Sequence, residues 1–279
     1  MIAYRPYGCG VTLTTQSPTR AELREHLVRA RIAGDVATTR ENNLGNYRAM
    51  SKRAPLYLFG LSPAGTWTPD DVLALMATRC GVSDDPEHVR GQDTIDPDRT
   101  VDRLDAMGAR LRVAAERRER VFVATGHPVG LRPTHSAIAA GLRRAGCTLL
   151  TPTPAWQHPH DTPYAAGGET IGYLDGVAVL LVPDGPRHTH SPLPMQAVLA
   201  QLEAAGDAPP DLVVADHGWA GAAGQAGVDA VGFADSNDPA LFVGEAEGRV
   251  MVCVPLDDNV APDLYAPLTA YLLARAGLN

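Results

Sequence analysis

Apolar positions follow a helical period in the first third of the chain and gather into short runs after residue 120. Thr19 and Glu22 form the ends of a capping box, and Leu23, Leu27, Ala30 and Ala33 continue from it at helical spacing. From residue 34 to 66 the period dissolves into polar residues, broken by one apolar patch at 55–61. Thr68-Pro69-Asp70-Asp71 opens a second helix, with proline at its first position and acids in its first turn, closing near Gly81. Asp96-Pro97 opens a third, whose Val101, Leu104, Met107, Leu111 and Ala115 make one continuous apolar face.

Beyond residue 120 the period shortens. Residues 121–125, 147–150, 212–215, 230–234 and 250–254 read as short buried strands, and 133–145, 191–205 and 266–276 as helices closed by Gly146, Gly206 and Gly277. Asp175-Gly176 between the apolar stretches 169–173 and 177–182 is a hairpin signal. Residues 151–168, with Trp156, His158 and His160, read as a long loop. The expected fold is α/β, a mostly parallel sheet flanked by helices, with a helical region over 1–118 and the α/β core over 119–279.

The polar residues cluster where strands end. Gly126-His127 follows the strand at 121, His188-Thr189-His190 the one at 177, and Asp216-His217 the one at 212. Asp235-Ser236-Asn237-Asp238 follows the strand at 230, and Asp257-Asp258-Asn259 the one at 250. Ligands of open parallel sheets bind at the carboxyl ends of the strands, so five clusters predict one site on that edge. His188 and His190 lie on one side of an extended segment, a spacing suited to chelation, and Asp235 and Asp238 offer hard oxygen ligands. Asp216 before His217 fits either a metal ligand beside an acid/base or a carboxylate fixing an imidazole tautomer, with Gly218 and the small residues after it leaving room for a ligand. The free N–H groups around Gly126, with His127 and Arg132, suit a phosphate near a helix start. Arg40, Asn42, Asn43 and Arg48 read as a solvated helix face, with a substrate lid as the alternative.

Composition narrows the classes. The chain of 279 residues carries a net charge of −8, with Lys52 its single lysine, which argues against a nucleic-acid partner. No stretch approaches the ~20 apolar residues of a membrane span, and the first residues lack a signal-peptide core. The expectation is a cytoplasmic protein without a membrane partner, with room for a homo-oligomer. The four cysteines (9, 80, 147 and 253) form no CxxC pair, and Cys147 and Cys253 read as small buried hydrophobes. No GxxxxGK[ST], GxSxG, HExxH or strand-linked GxGxxG is present.

The strings Ala124-Thr125-Gly126-His127-Pro128, Val214-Ala215-Asp216-His217-Gly218-Trp219 and Ala234-Asp235-Ser236-Asn237-Asp238-Pro239 resemble those of an actinobacterial family described simply as phosphatases. The similarity also takes in 32–37, 90–96 and 188–192, and it implies phosphate-ester hydrolysis. His188-x-His190 is similar to the metal-binding pair of the polymerase and histidinol phosphatase class. There it opens a barrel with further ligands well downstream, whereas only 89 residues follow here, so that fold is not expected.

The expected activity is metal-assisted hydrolysis of a phosphate monoester on a small metabolite. His188, His190, Asp216, Asp235 and Asp238 are the expected ligands of a divalent ion, Mg²⁺, Mn²⁺ or Zn²⁺. His217 is the expected acid/base, with Asp216 and His127 as its catalytic companions, and Gly126, His127 and Arg132 hold the phosphate. The alternatives are a metal-independent lyase or isomerase using His217 and His127, and a small-ligand binding protein without turnover.

Overall fold

The computed structural model describes residues 17–156 and 169–279. Cys9, His158 and His160 lie outside the described residues. In chain order the N-terminal elements are α1 (Arg20–Arg29), β1 (Gly34–Thr39), α2 (Arg40–Ser51), α3 (Pro69–Arg79), β2 (Gln92–Ile95) and α4 (Pro97–Arg117). Next come β3 (Arg120–Val123), α5 (Arg132–Arg144), β4 (Thr148–Leu149), β5 (Thr170–Leu174), β6 (Val177–Val182), β7 (Gly185–Arg187) and α6 (Leu193–Ala204). The chain closes with β8 (Leu212–Val214), α7 (His217–Gln225), β9 (Ala230–Ala234), α8 (Pro239–Ala246), β10 (Val252–Pro255) and α9 (Ala266–Ala276). Among the described residues no helix is long and apolar enough to cross a membrane.

The fold is α/β. Five parallel strands stand in the order β10-β9-β8-β3-β4. Counted along the chain this is 2-1-3-4-5, a doubly wound sheet whose order reverses between β3 and β8. Side chains alternate across it as the two-residue period requires. Val121, Val123, Leu212, Val214, Val231, Phe233, Val252 and Val254 enter one apolar cluster, with α1, α4, α5 and α9. Phe122, Ala124, Val213, Ala215, Ala230, Ala234 and Cys253 enter the other, under α2, α3, α6, α7 and α8. Each fully buried Leu, Val or Phe contributes about 1.5–3 kcal/mol. Both clusters draw residues from either side of residue 118, so helices of the N-terminal third cover both faces of the sheet.

Three features depart from the sequence reading. The stretch 177–182 belongs to a separate antiparallel sheet, β5-β6-β7, and not to the parallel one. It is joined to the end of β3 by a bridge from Ala124 to Ala178, and its turn at Asp175 and Gly176 takes positive φ at both residues, as a two-residue hairpin loop needs. The polar stretch after Gly34 contains β1, which pairs antiparallel with β2. Within β1 only Val36 is buried, so no alternating pattern marks it. The same stretch contains α2, whose buried positions Arg40, Asn43, Tyr47 and Met50 keep helical spacing but begin with polar residues.

Those polar residues are buried because they meet Asp93. Arg40 and Asp93 form an ion pair at 3.1 Å with both side chains fully buried. The same guanidinium donates to the carbonyls of His88, Ser83 and Asp85, and Asn43 Nδ2 donates to Asp93 Oδ2 at 2.9 Å. The knot fixes α2 against β2. Arg40→Ala strands the Asp93 carboxylate in the interior and is expected to cost about 3–5 kcal/mol, read as a lowered denaturation midpoint. A loss within about 0.5 kcal/mol would show that water replaces the guanidinium.

Candidate active site

The reversal of strand order opens a crevice at the carboxyl ends of β3 and β8, and the chemistry converges there. A cavity of about 530 Å³ is lined by His127, His188, His190 and His217, by Asp235, Asp238 and Asp258, and by Asn42, Asn46, Asn237 and Asn259, with Thr38, Leu56 and Tyr57. His127 comes from the loop after β3, His217 opens α7 after β8, and Asp235 and Asp238 join β9 to α8. Asp258 follows β10, while His188 and His190 follow β7 of the small sheet. Four of the five strand-end clusters therefore come from the parallel sheet and one from the hairpin sheet. Thr38, Asn42 and Asn46 close the wall from β1 and α2.

Asp216 lies behind the cavity, fully buried. Its Oδ1 accepts from Gly126 N (2.6 Å) and His217 Nδ1 (2.8 Å), and its Oδ2 from Thr125 Oγ1 (2.5 Å). Burial by itself raises the pKa of a carboxyl, but the His217 hydrogen bond and charge outweigh it and hold Asp216 well below the usual carboxylate range. Asp216 is not among the residues that line the cavity and joins none of the ligand sets, and its bond to His217 is the arrangement of a carboxylate fixing an imidazole, one of the two roles the sequence allowed. His135 is packed behind it, its Nε2 3.7 Å from Asp216 Oδ2, its Nδ1 on Leu131 O and its ring edge-on to Phe233.

Of Gly126, His127 and Arg132, the residues expected to hold the phosphate, only His127 lines the cavity. Gly126 N serves Asp216, and His127 N donates to Thr125 Oγ1. Arg132 pairs with Asp175 at 2.9 Å and lines no part of the cavity. Two glycines let the histidine segment press inward. A Cβ on Gly126 would meet Thr189 O at 2.3 Å, and one on Gly218 would meet Ser191 O at 2.3 Å and His190 O at 2.4 Å. Gly218 therefore makes room for the chain around His190, where the sequence suggested room for a ligand.

The imidazoles stack in two pairs, His127 on His188 and His190 on His217, each with centroids 4.8 Å apart. Phe59, from the apolar patch at 55–61, meets His190 and His217 edge-on. Their protonation differs with surroundings. Burial, then the charge of His217, pushes His188 down to about 3 and His190 down to about 4, so both present neutral rings at neutral pH. Burial also works against charge on His217, but Asp216 and Asp238 hold it well above the ordinary value. His127 is likewise raised against its burial by Asp258, whose Oδ1 is 3.3 Å from Nδ1.

The carboxylates are crowded. Burial, then the charges of Asp258 and Asp257, pushes Asp235 well above the usual range, even though Thr38 Oγ1 donates to its Oδ2. His217 Nε2 faces Asp238 Oδ2 at 3.4 Å and Asp258 Oδ2 at 3.5 Å. Three sets offer one ligand atom per residue, all within 4.8 Å of each other: His127, His188 and His217; His190, His217 and Asp238; and Asp235, Asp257 and Asp258. Asp257 and Asp258 belong to a strand-end cluster visible in the sequence but were not among the expected ligands. Thr38, Asn46, Tyr57 and Phe59 carried no signal, since each reaches the site only through packing of the N-terminal elements.

Comparison with known proteins bears on what this cavity does. A family model described as "Phosphatase" matches residues 18–279. A curated phosphatase of Streptomyces coelicolor is 53% identical over 265 residues, covering 94% of this chain and 98% of the relative. On both grounds the chain belongs to the Phosphatase family, and the cavity at the β3/β8 reversal is the candidate active site of a probable phosphatase.

Proposed function

We propose that this protein is a metal-assisted phosphomonoesterase acting on a small phosphorylated metabolite, with a divalent cation held by His190, His217 and Asp238. One observation carries the reading. Among the described residues no arginine or lysine lines the cavity, while Asp235, Asp238 and Asp258 do. A phosphate dianion entering such a cavity meets repulsion unless cations stand between it and the carboxylates. The donor set fits that need, because His190, an imidazole that burial pushes toward its neutral form, and the Asp238 carboxylate each offer a ligand atom within 4.8 Å of one on His217. Bound there, a divalent cation supplies Lewis-acid charge to the phosphoryl oxygens and acidifies a water.

The chain's own residues do the rest. His217 has one free nitrogen, because Nδ1 serves Asp216, so it can join only one of the two imidazole sets. Burial pushes His190 toward its neutral form and favours the set with Asp238, whereas Asp258 raises the affinity of His127 for a proton. That leaves His127 on the cavity wall as the proton donor to the departing oxygen. Asp216 fixes the tautomer of His217 from behind, the carboxylate–histidine pairing typical of metal sites. The neutral amides of Asn42, Asn46, Asn237 and Asn259 suit the hydroxyls of a small substrate, and Leu56 and Tyr57 shield one side from water.

Two measurements test the reading. Phosphate release from a panel of sugar and nucleoside phosphates is expected to vanish after chelation and return with Mg²⁺, Mn²⁺ or Zn²⁺. Full turnover after exhaustive chelation and dialysis would sink metal assistance, and no release from any monoester would sink the activity. In the second, Asp216→Asn keeps an oxygen toward Gly126 and His217 and turns an amide toward Thr125 Oγ1, which can accept. The cation affinity of that variant is expected to fall by ~10–100-fold while the fold persists. A lowered melting temperature with unchanged cation affinity would make Asp216 purely structural.

A further inference from the structure

The carboxylates at the ends of β9 and β10 outnumber what one cation of this kind can use. Asp235, Asp257 and Asp258 form their own ligand set and share no residue with His190, His217 and Asp238. Filling one set therefore leaves every ligand of the other available. The third set, with His127 and His188, competes for His217 and cannot be filled beside the second.

The acidic set is built and not merely crowded. Asp257 is aligned by backbone donors, Ala37 N on Oδ2 (3.1 Å) and Asn259 N on Oδ1 (2.9 Å). Asp235 Oδ1 accepts from Ser236 N (2.5 Å) and Ser236 Oγ (3.1 Å), and its Oδ2 from Thr38 Oγ1. Both Asp257 oxygens and Asp235 Oδ2 keep a lone pair after the one donor of each is counted. Asp258 differs. The residue is 6% exposed, yet its Oδ2 lies buried without a hydrogen-bond partner, 3.5 Å from His217 Nε2, and its other oxygen is 3.3 Å from His127 Nδ1. A buried carboxylate oxygen left without a donor costs several kcal/mol unless a charge answers it.

Resting on the single-cation reading above, we propose that the cavity holds a second divalent cation at Asp235, Asp257 and Asp258. Its ligands are oxygens only, so it takes a hard ion such as Mg²⁺ or Mn²⁺, whereas the set with two imidazoles also suits Zn²⁺. Two cations beside one phosphoryl group supply charge to both its attacking and its leaving oxygens. The pair is then chemically unlike: one position is strong and imidazole-bearing, the other exchangeable and all-oxygen.

The test counts ions. Full-length protein stripped by chelation and dialysis is titrated with Mn²⁺ by calorimetry, and bound metal is measured by elemental analysis. Wild type is expected to bind two equivalents per chain. Asp235→Asn and Asp258→Asn are each expected to weaken one equivalent by at least ~10-fold and leave the other, and His190→Ala is expected to remove that other one. Retention of one equivalent shows that each variant is folded, and thermal melting checks it independently. A wild-type stoichiometry of one, or loss of the same equivalent from His190→Ala and Asp235→Asn, overturns the second position and leaves the single-cation reading standing. Two equivalents surviving both carboxylate changes also overturn it. No bound Mn²⁺ overturns both readings.

Discussion

The Asp216 carboxylate is the interaction on which the active-site end of this protein depends. A fully buried anion is tolerated only when donors surround it, and here the donors come from the ends of both strands flanking the reversal of sheet order. Thr125 and Gly126 continue β3, and His217 starts α7 just after β8. One side chain thus clamps the two strand ends and fixes an imidazole. His217 sits at φ 46°, an unusual conformation for a residue with a Cβ, and the Asp216 bond together with the His190 and Phe59 rings helps to hold it there.

Environment sorts four histidines in one cavity into different tasks. Burial disfavours charge on His188 and His190, while the carboxylates against His217 and His127 raise their affinity for a proton. The carboxylates divide in the same way. Asp238 is held low against its burial by the His217 hydrogen bond, while burial and like charges push Asp235 and Asp258 up. A divalent cation would bring two charges to this second group, in which Asp258 meets only the His127 and His217 imidazoles and Asp235 only hydroxyl and N–H donors.

The N-terminal elements are part of this machinery. The buried Arg40–Asp93 pair seats α2, and α2 seats the loop after β9. Tyr47 donates to Ser236 O and Asn46 to Asn237 O, and the single proton of Ser236 Oγ is shared between Asp235 Oδ1 and Asn43 Oδ1. The loop carrying Asp235 and Asp238 is therefore positioned by residues nearly 200 positions earlier in the chain.

The sequence by itself determined the layered α/β fold, the carboxyl-edge location of the polar clusters and the family strings, because strand and helix periods and loop chemistry are local. His127, His188, His190, His217, Asp235 and Asp238 were all legible as strand-end residues, and they meet in one cavity. Only the tertiary structure decided their partners. It bonded Asp216 to His217, paired Arg132 with Asp175, and brought Asp257 and Asp258 beside Asp235. It also recruited Thr38, Asn46 and Phe59 from a stretch whose period was hidden, since Arg40 and Asn43 occupy buried helix positions that a hydrophobic pattern cannot show. Ligation, orientation and surface pairing depend on distances between segments far apart in sequence, and those distances arise only when the two faces of the sheet are packed.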